Sequence, residues 1–216
     1  MKKKDKALEI KRAQLKTEKI TLSNAVSDEW RSDPKHLSFS LSRYKFVSKM
    51  LDGYNKVLEV GAGDGFKSDI IFKVVKNLTL CEYNNLHIKE YQGNAKYIVH
   101  DFVKGRLKNS FDGIYAIDVL EHIDKKKENI FIKNILLSLN KNGILIFGMP
   151  TIESQKYASK LSKIGHVNCK SKNSLRKLMQ NFFHNVFMFS MNDEMVHTGY
   201  DKMSHFIFAV CANKKK

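Results

Sequence analysis

One stretch constrains this chain more than any other: Val57-Leu58-Glu59-Val60-Gly61-Ala62-Gly63-Asp64-Gly65. A short apolar run meets a loop with glycine at alternate positions, and a helical pattern follows over 64–76. Gly61 and Gly63 open backbone angles closed to other residues and let a ligand approach the main chain. In a doubly wound sheet such a loop sits at the carboxyl end of the first strand, where ligands bind. The spacing is GxGxG rather than the GxGxxG of dinucleotide binders, so a ligand without phosphates at this point fits better. Taken alone, the loop also reads as an ordinary strand-to-helix turn.

The rest of the chain repeats the same alternation. Apolar runs predict strands at 55–60, 78–82, 96–100, 112–118 and 143–149, with helical segments at about 64–76, 84–92 and 125–140. Strands alternating with helices mean βαβ units and a mainly parallel sheet. Asn142-Gly143 reads as the stop of the helix that ends at Asn140. Before the sheet, Leu37, Leu41, Tyr44, Val47 and Leu51 space a helix over 37–51, and Leu8, Leu15 and Leu22 mark a narrow stripe on a basic helix over 5–20. Past Pro150, helical stretches at 153–163 and 171–181 precede two runs, 184–191 and 204–212, that suit a closing antiparallel pair.

Charge and composition limit the partners. The 216 residues carry 38 Lys and Arg against 22 Asp and Glu, a net of +16, which invites a nucleic-acid reading. Residues 1–19 hold eight bases against three acids and Lys214–Lys216 add three more, so half the excess sits at the two ends. A solvated lysine surface, or attraction of an anionic small substrate, accounts for it better than an RNA track. No apolar stretch approaches the ~20 residues of a membrane span. Cys81, Cys169 and Cys211 form no CxxC pair, which argues against a disulfide framework and suits a reducing cytoplasm.

Three more segments converge on the glycine loop. Glu82 ends the second predicted strand, 21 residues after Gly61, where a carboxylate accepts hydrogen bonds from both ribose hydroxyls of a nucleoside. Asp101 and Phe102 follow the third, placed to take the exocyclic amine of adenine and to lie on the base. Asp118-Val119-Leu120-Glu121-His122-Ile123 follows the fourth. A parallel sheet brings all of them to one edge.

Together with Leu139-Asn140-Lys141-Asn142-Gly143, these segments resemble the class I S-adenosylmethionine-dependent methyltransferases, and most of all the small-molecule subgroup that includes ubiquinone-biosynthesis enzymes. The resemblance covers about residues 55–150. It implies an α/β, Rossmann-like, seven-stranded and mainly parallel sheet with helices on both faces and an antiparallel last strand. It divides the chain into a basic helical arm or lid at 1–36 and a methyltransferase domain at 37–216. It implies that Glu59, Gly61 and Gly63 line the methionine part of the cofactor, that Glu82 holds the ribose, that Asp101 and Phe102 meet the adenine, and that Asp118 lies near the methionine end. Lys141-Asn142-Gly143 replaces the family's usual Pro-Gly-Gly turn.

The acceptor side is less legible. Methyl transfer from a sulfonium mainly needs alignment and exclusion of water. A hydroxyl acceptor also needs a base, for which His122, His166 and His197 are the candidates. Arg43 and Tyr44 on the pre-sheet helix are placed to reach the cofactor's carboxylate or the acceptor, and His36 to join the pocket. No His/Cys/Asp cluster has ligand spacing on one element, so no metal is expected. The expected partner is a polar or anionic small molecule methylated at oxygen. The competing readings are an RNA methyltransferase or RNA binder using the basic surface, and a non-catalytic subunit that keeps the fold.

Overall fold

The structure, a computed structural model, describes residues 6–16 and 19–215. Eight strands form one sheet among them: β1 (Lys56–Val60), β2 (Asn77–Glu82), β3 (Lys96–Val99), β4 (Phe111–Ile117), β5 (Leu139–Pro150), β6 (Phe183–Asn192), β7 (Met195–His197) and β8 (Phe206–Lys214). Their order is β3-β2-β1-β4-β5-β8-β6-β7. The first five are mutually parallel, whereas β8 runs antiparallel between β5 and β6. The seven expected strands are joined by one more, the three-residue β7, which closes a hairpin on β6. Strand order reverses between β1 and β4, and a crevice opens at such a point beyond the carboxyl ends of the strands.

Helices cover both faces because the central strands are apolar on both. On one face α5 (Glu128–Leu137) and α7 (Lys172–Gln180) bury Phe131, Ile132, Ile135, Leu175 and Met179 against Leu58, Ile114, Leu145 and Ile207. On the other, α3 (Pro34–Met50) buries Tyr44 and Val47 against Val57, Tyr115, Ile146 and Phe208. Val57 and Leu58 go to opposite faces, as successive strand residues must.

Several expected elements change. The helix expected over 64–76 shortens to α4 (Asp69–Phe72), and 84–92 forms turns. Helix α5 ends at Leu137, so Asn142-Gly143 does not stop it but lies within β5. Leu139 already pairs with Phe111, and the register then shifts before Gly113 pairs with Ile144. The slack is taken up by Asn140, whose side-chain amide donates to Asp112 at 2.6 Å. The basic helix is only α1 (Lys6–Gln14) and buries no residue; Leu15 follows it in a turn, 85% exposed, and part of the expected 5–20 span lies outside the described residues.

The apolar periodicity gave no sign of α2 (Asn24–Ser32). Its start is local chemistry: the Ser23 hydroxyl caps it by accepting from the Val26 amide at 3.1 Å. Asp33 then caps α3, with Pro34 in its first turn. The expected division at 36/37 therefore falls inside α3. The segment around α2 lies on the glycine loop: Ser23 also donates to the Asp64 carboxylate, Asn24 donates to Glu90 at 3.0 Å, and Lys67 pairs with Glu29 at 3.3 Å. Among the described residues, no helix is long and apolar enough to cross a membrane.

Candidate active site

A cleft of about 720 Å³ opens at the carboxyl ends of β1, β2 and β4. Gly61, Gly63, Glu82, Asp101, Phe102, Asp118 and His122 all line it, so the four segments singled out by the sequence do meet. A second cleft, of about 540 Å³, lies at the other end of the strands around Asn55, Lys56, Asn77 and Asn109, away from this convergence.

The glycine loop starts with Gly61 at φ +80° and Gly63 at φ +56°. A Cβ at Gly61 would sit 2.2 Å from Val119 Cγ2, whereas one at Gly63 would meet nothing within 4 Å. Gly61 is thus required by close packing of the two loops, and Gly63 by its backbone angle and the open cleft beside it. Across from it, Glu82 Oε2 accepts from the Gly63 amide at 3.1 Å and Oε1 from the Tyr83 amide at 2.9 Å. Each oxygen keeps a lone pair for a further donor. Asp101 Oδ1 accepts from the Val103 amide at 2.8 Å, which fixes the turn after β3.

Other site residues are placed differently from the expectation. Glu59 is 1% exposed beneath the loop and does not line the cleft; Tyr44 and Tyr115 donate their hydroxyls to it at 3.0 and 2.6 Å. Burial pushes its carboxyl up to about 7. Tyr44 is correspondingly a buried support of Glu59 and does not line the cleft. Phe102 is 2% exposed and packs edge-on against His100 and Phe131, so only its margin reaches the cleft floor. Tyr83 and Leu86, which the sequence reading passed over, stand exposed at the cleft instead.

Asp118 adopts φ +57°, an uncommon angle for a non-glycine residue. Arg43 reaches up from α3 and donates to its Oδ2 at 2.7 Å, with the guanidinium 4.0 Å over the Phe206 ring. The buried Arg43 Nε has no partner. His205, also missed, is placed nearby: burial first, then Arg43, lowers its pKa, and its Nε2 has no partner.

The three candidate bases part company. His122 and His166 come together, with ring centroids 5.1 Å apart. His122 Nδ1 contacts the Gly165 carbonyl at 2.9 Å, and His166 Nδ1 contacts Gln155 Oε1 at 2.8 Å. Burial, then His122, lowers the His166 pKa. Beside them Glu121 is fully buried, and neither carboxylate oxygen has a partner. Burial, then the Asp118 charge, pushes its carboxyl well above the usual range. His197 is elsewhere, on β7, four strands from β4 in the sheet and so roughly 19 Å to its side. Its Nδ1 accepts from the Gly199 amide at 3.1 Å and its Nε2 therefore donates to Asn192 at 2.7 Å. Both nitrogens are engaged, which leaves it no lone pair for base work. His36 pairs with Glu29 at 2.5 Å and packs edge-on against Phe39; it does not line the cleft.

The loop that carries His166 is clamped to α5. Lys170 pairs with Glu128 at 2.6 Å, Asn168 donates to the same carboxylate at 2.7 Å, and the Asn168 amide donates to the Glu121 carbonyl at 3.0 Å. Nothing in the sequence marks Lys170 for this role. A buried ion pair across 42 positions leaves no periodic trace.

The methyltransferase-domain family matches residues 27–182, well over half of the chain. The chain belongs to that family. Solved structures share the methyltransferase's fold. The N-methyltransferase NodS from Bradyrhizobium japonicum WM9, in complex with S-adenosyl-L-homocysteine, has a TM-score of 0.66 at 17% identity, covering 86% of this chain and 92% of its own. The DhpI–SAH complex has a TM-score of 0.65 at 14% identity, covering 88% and 92%. The methyltransferase domain of bacterial CtHen1-C has a TM-score of 0.66 at 16% identity, covering 81% and 98%. A comparison with curated proteins by sequence returns no match. None of these likenesses singles out the ubiquinone-type subgroup. The methyltransferase's cysteines are free thiols, with Cys81 and Cys169 pushed up to about 12 by burial.

Proposed function

We propose that this methyltransferase binds S-adenosylmethionine in the 720 Å³ cleft and methylates a hydroxyl of a small polar or anionic molecule. One observation carries the reading: Gly61, Gly63, Glu82, Asp101 and Asp118 converge on that cleft from four loops. The residues fit the cofactor. Gly63 offers unhindered backbone, Glu82 holds two unused lone pairs for ribose hydroxyls, and Asp101 Oδ2, which faces the Lys104 ammonium at 3.6 Å, keeps a further lone pair for the adenine amine. Structures of similar fold carry S-adenosyl-L-homocysteine, which supports the same assignment here. Glu59 and Tyr44 support the loop from below, and Arg43 orients Asp118.

When bound, S-adenosylmethionine would supply a methyl group activated on a sulfonium, and the residues around it would align the acceptor hydroxyl and take up its proton. His122 and His166 mark the acceptor end. Each donates from Nδ1 and so keeps its lone pair on Nε2, facing the need for a proton acceptor. The positive balance of the chain favours anionic acceptors through long-range attraction.

The test is a screen of hydroxylated, phosphate-bearing metabolites followed by His166→Ala. Its cofactor affinity is expected to stay within about threefold, a shift of ~0.6 kcal/mol. Turnover is expected to fall ~100-fold or more. Parental turnover in His166→Ala would remove this end of the cleft from the reaction.

A further inference from the structure

We propose that Glu121, His122 and His166 form a binding site for one divalent transition-metal ion at the acceptor end of the cleft. The three come from two elements, the turn after β4 and the loop after α6 (Lys160–Gly165), which is why spacing along either one shows nothing. One ligand atom from each lies within 4.8 Å of the others. Bonds of about 2.0–2.2 Å to one ion bring such atoms to roughly 3–4 Å of each other, a small side-chain adjustment.

Independent observations point to a cation. Glu121 is 0% exposed with both oxygens unpartnered, an arrangement that proteins otherwise avoid. Both histidines carry the outer contact expected of ligands, a ring N–H given to an oxygen so that the other nitrogen is fixed with its lone pair. For His122 the acceptor is the Gly165 carbonyl, which only accepts. For His166 it is Gln155 Oε1, whose orientation is set by its amide donating to the Thr151 carbonyl at 3.2 Å. The Asn168 amide, donating to the Glu121 carbonyl at 3.0 Å, ties the loop to the turn, while Lys170 and Asn168 fix the same loop to Glu128 of α5.

One carboxylate and two imidazoles suit Mn²⁺, Fe²⁺, Co²⁺ or Zn²⁺ better than Ca²⁺, which takes all-oxygen shells. His122 and Asp118 line the cleft, so the ion's open positions border it. With an ion bound, the Nε2 lone pairs of the two histidines would be ligand bonds instead of proton acceptors; the ion would then acidify the acceptor hydroxyl as a Lewis acid, with its proton passing to water, a role that rests on the methyl-transfer reading.

The experiment is calorimetry of Mn²⁺ and Zn²⁺ binding to the chelator-treated 216-residue chain, with S-adenosyl-L-homocysteine titrated separately. One ion per chain is expected. Loss of a supporting contact costs metal sites about 10–100-fold in affinity, the effect expected for Gln155→Ala, so H122A/H166A is expected to lose at least ~100-fold. Gln155→Ala, outside the cleft lining, should bind S-adenosyl-L-homocysteine within about threefold of the parent, which separates loss of the ion from loss of the fold. Because Glu121 is buried and its replacement risks the fold, the paired histidine variant decides. Glu82→Ala is expected to keep the ion. No stoichiometric ion on the parent, or equal affinity in H122A/H166A, overturns the site and leaves the methyltransferase reading standing. Ion binding without product binding keeps the site and removes that reading.

Discussion

At the residue scale, two positions show how the loop after β1 is built. Gly61 has a left-handed φ and faces Val119 at a distance no Cβ tolerates. Gly61→Ala therefore carries both a clash and a backbone strain of about 1–3 kcal/mol. Adding Val119→Ala should relieve the clash and leave the strain, so chemical denaturation of the double variant is expected to fall between parent and Gly61→Ala. A double variant no more stable than the single one would mean Val119 is not what confines the loop. Glu59 makes the second case. Its carboxyl, raised by burial from about 4.5 to about 7, ionises more readily when the chain unfolds. A raised acid stabilises the fold below the ordinary pKa and loses that contribution as pH rises through 7. Glu59→Gln removes the loss. Its stability relative to the parent is expected to rise between pH 4.5 and 7, by up to ~3 kcal/mol for ~2.5 pH units. A constant difference across that range would contradict the account.

Elements were legible where they are long and periodic. The apolar runs sufficed for β1, β2, β4 and β5, since strands buried on both faces read as continuous hydrophobic sequence, and the edge strand β3 was legible from its place in the strand-helix alternation. Helix α3 was legible from Leu37 to Leu51 by the helical spacing of its apolar residues. What failed depends on local polar contacts. Helix α2 starts at a serine cap and buries only Val26, so apolar spacing carries no sign of it. The Asn142-Gly143 pair carries the residues of a helix stop, yet Asn140 and Asp112 hold it in a strand. Ser23 joins two of these contacts, as the cap of α2 and the link to Asp64 in the glycine loop. Ser23→Ala is expected to cost about 1–2 kcal/mol, the range for a lost cap, measured by urea unfolding. A change under ~0.3 kcal/mol would show that α2 is not anchored there.

At the scale of the whole molecule, the sheet turns four weak sequence signals into one site. Gly63, Glu82, Asp101 and Asp118 are each an ordinary loop residue, and parallel strands with a reversal between β1 and β4 bring them to one cleft. That part of the site was readable because chain order fixes which strand ends share an edge. The pairing of His122 with His166 was not, because His166 reaches His122 through a buried clamp and His197 is carried away by a hairpin. The most direct test of the central claim is calorimetry of S-adenosyl-L-homocysteine on the parent and on Glu82→Ala, both checked for folding by circular dichroism. Charge-assisted hydrogen bonds are worth about 1.5–3 kcal/mol each. The account predicts one molecule bound per parent chain and an affinity at least tenfold lower in Glu82→Ala. No binding to the parent, or equal binding to both, would contradict it.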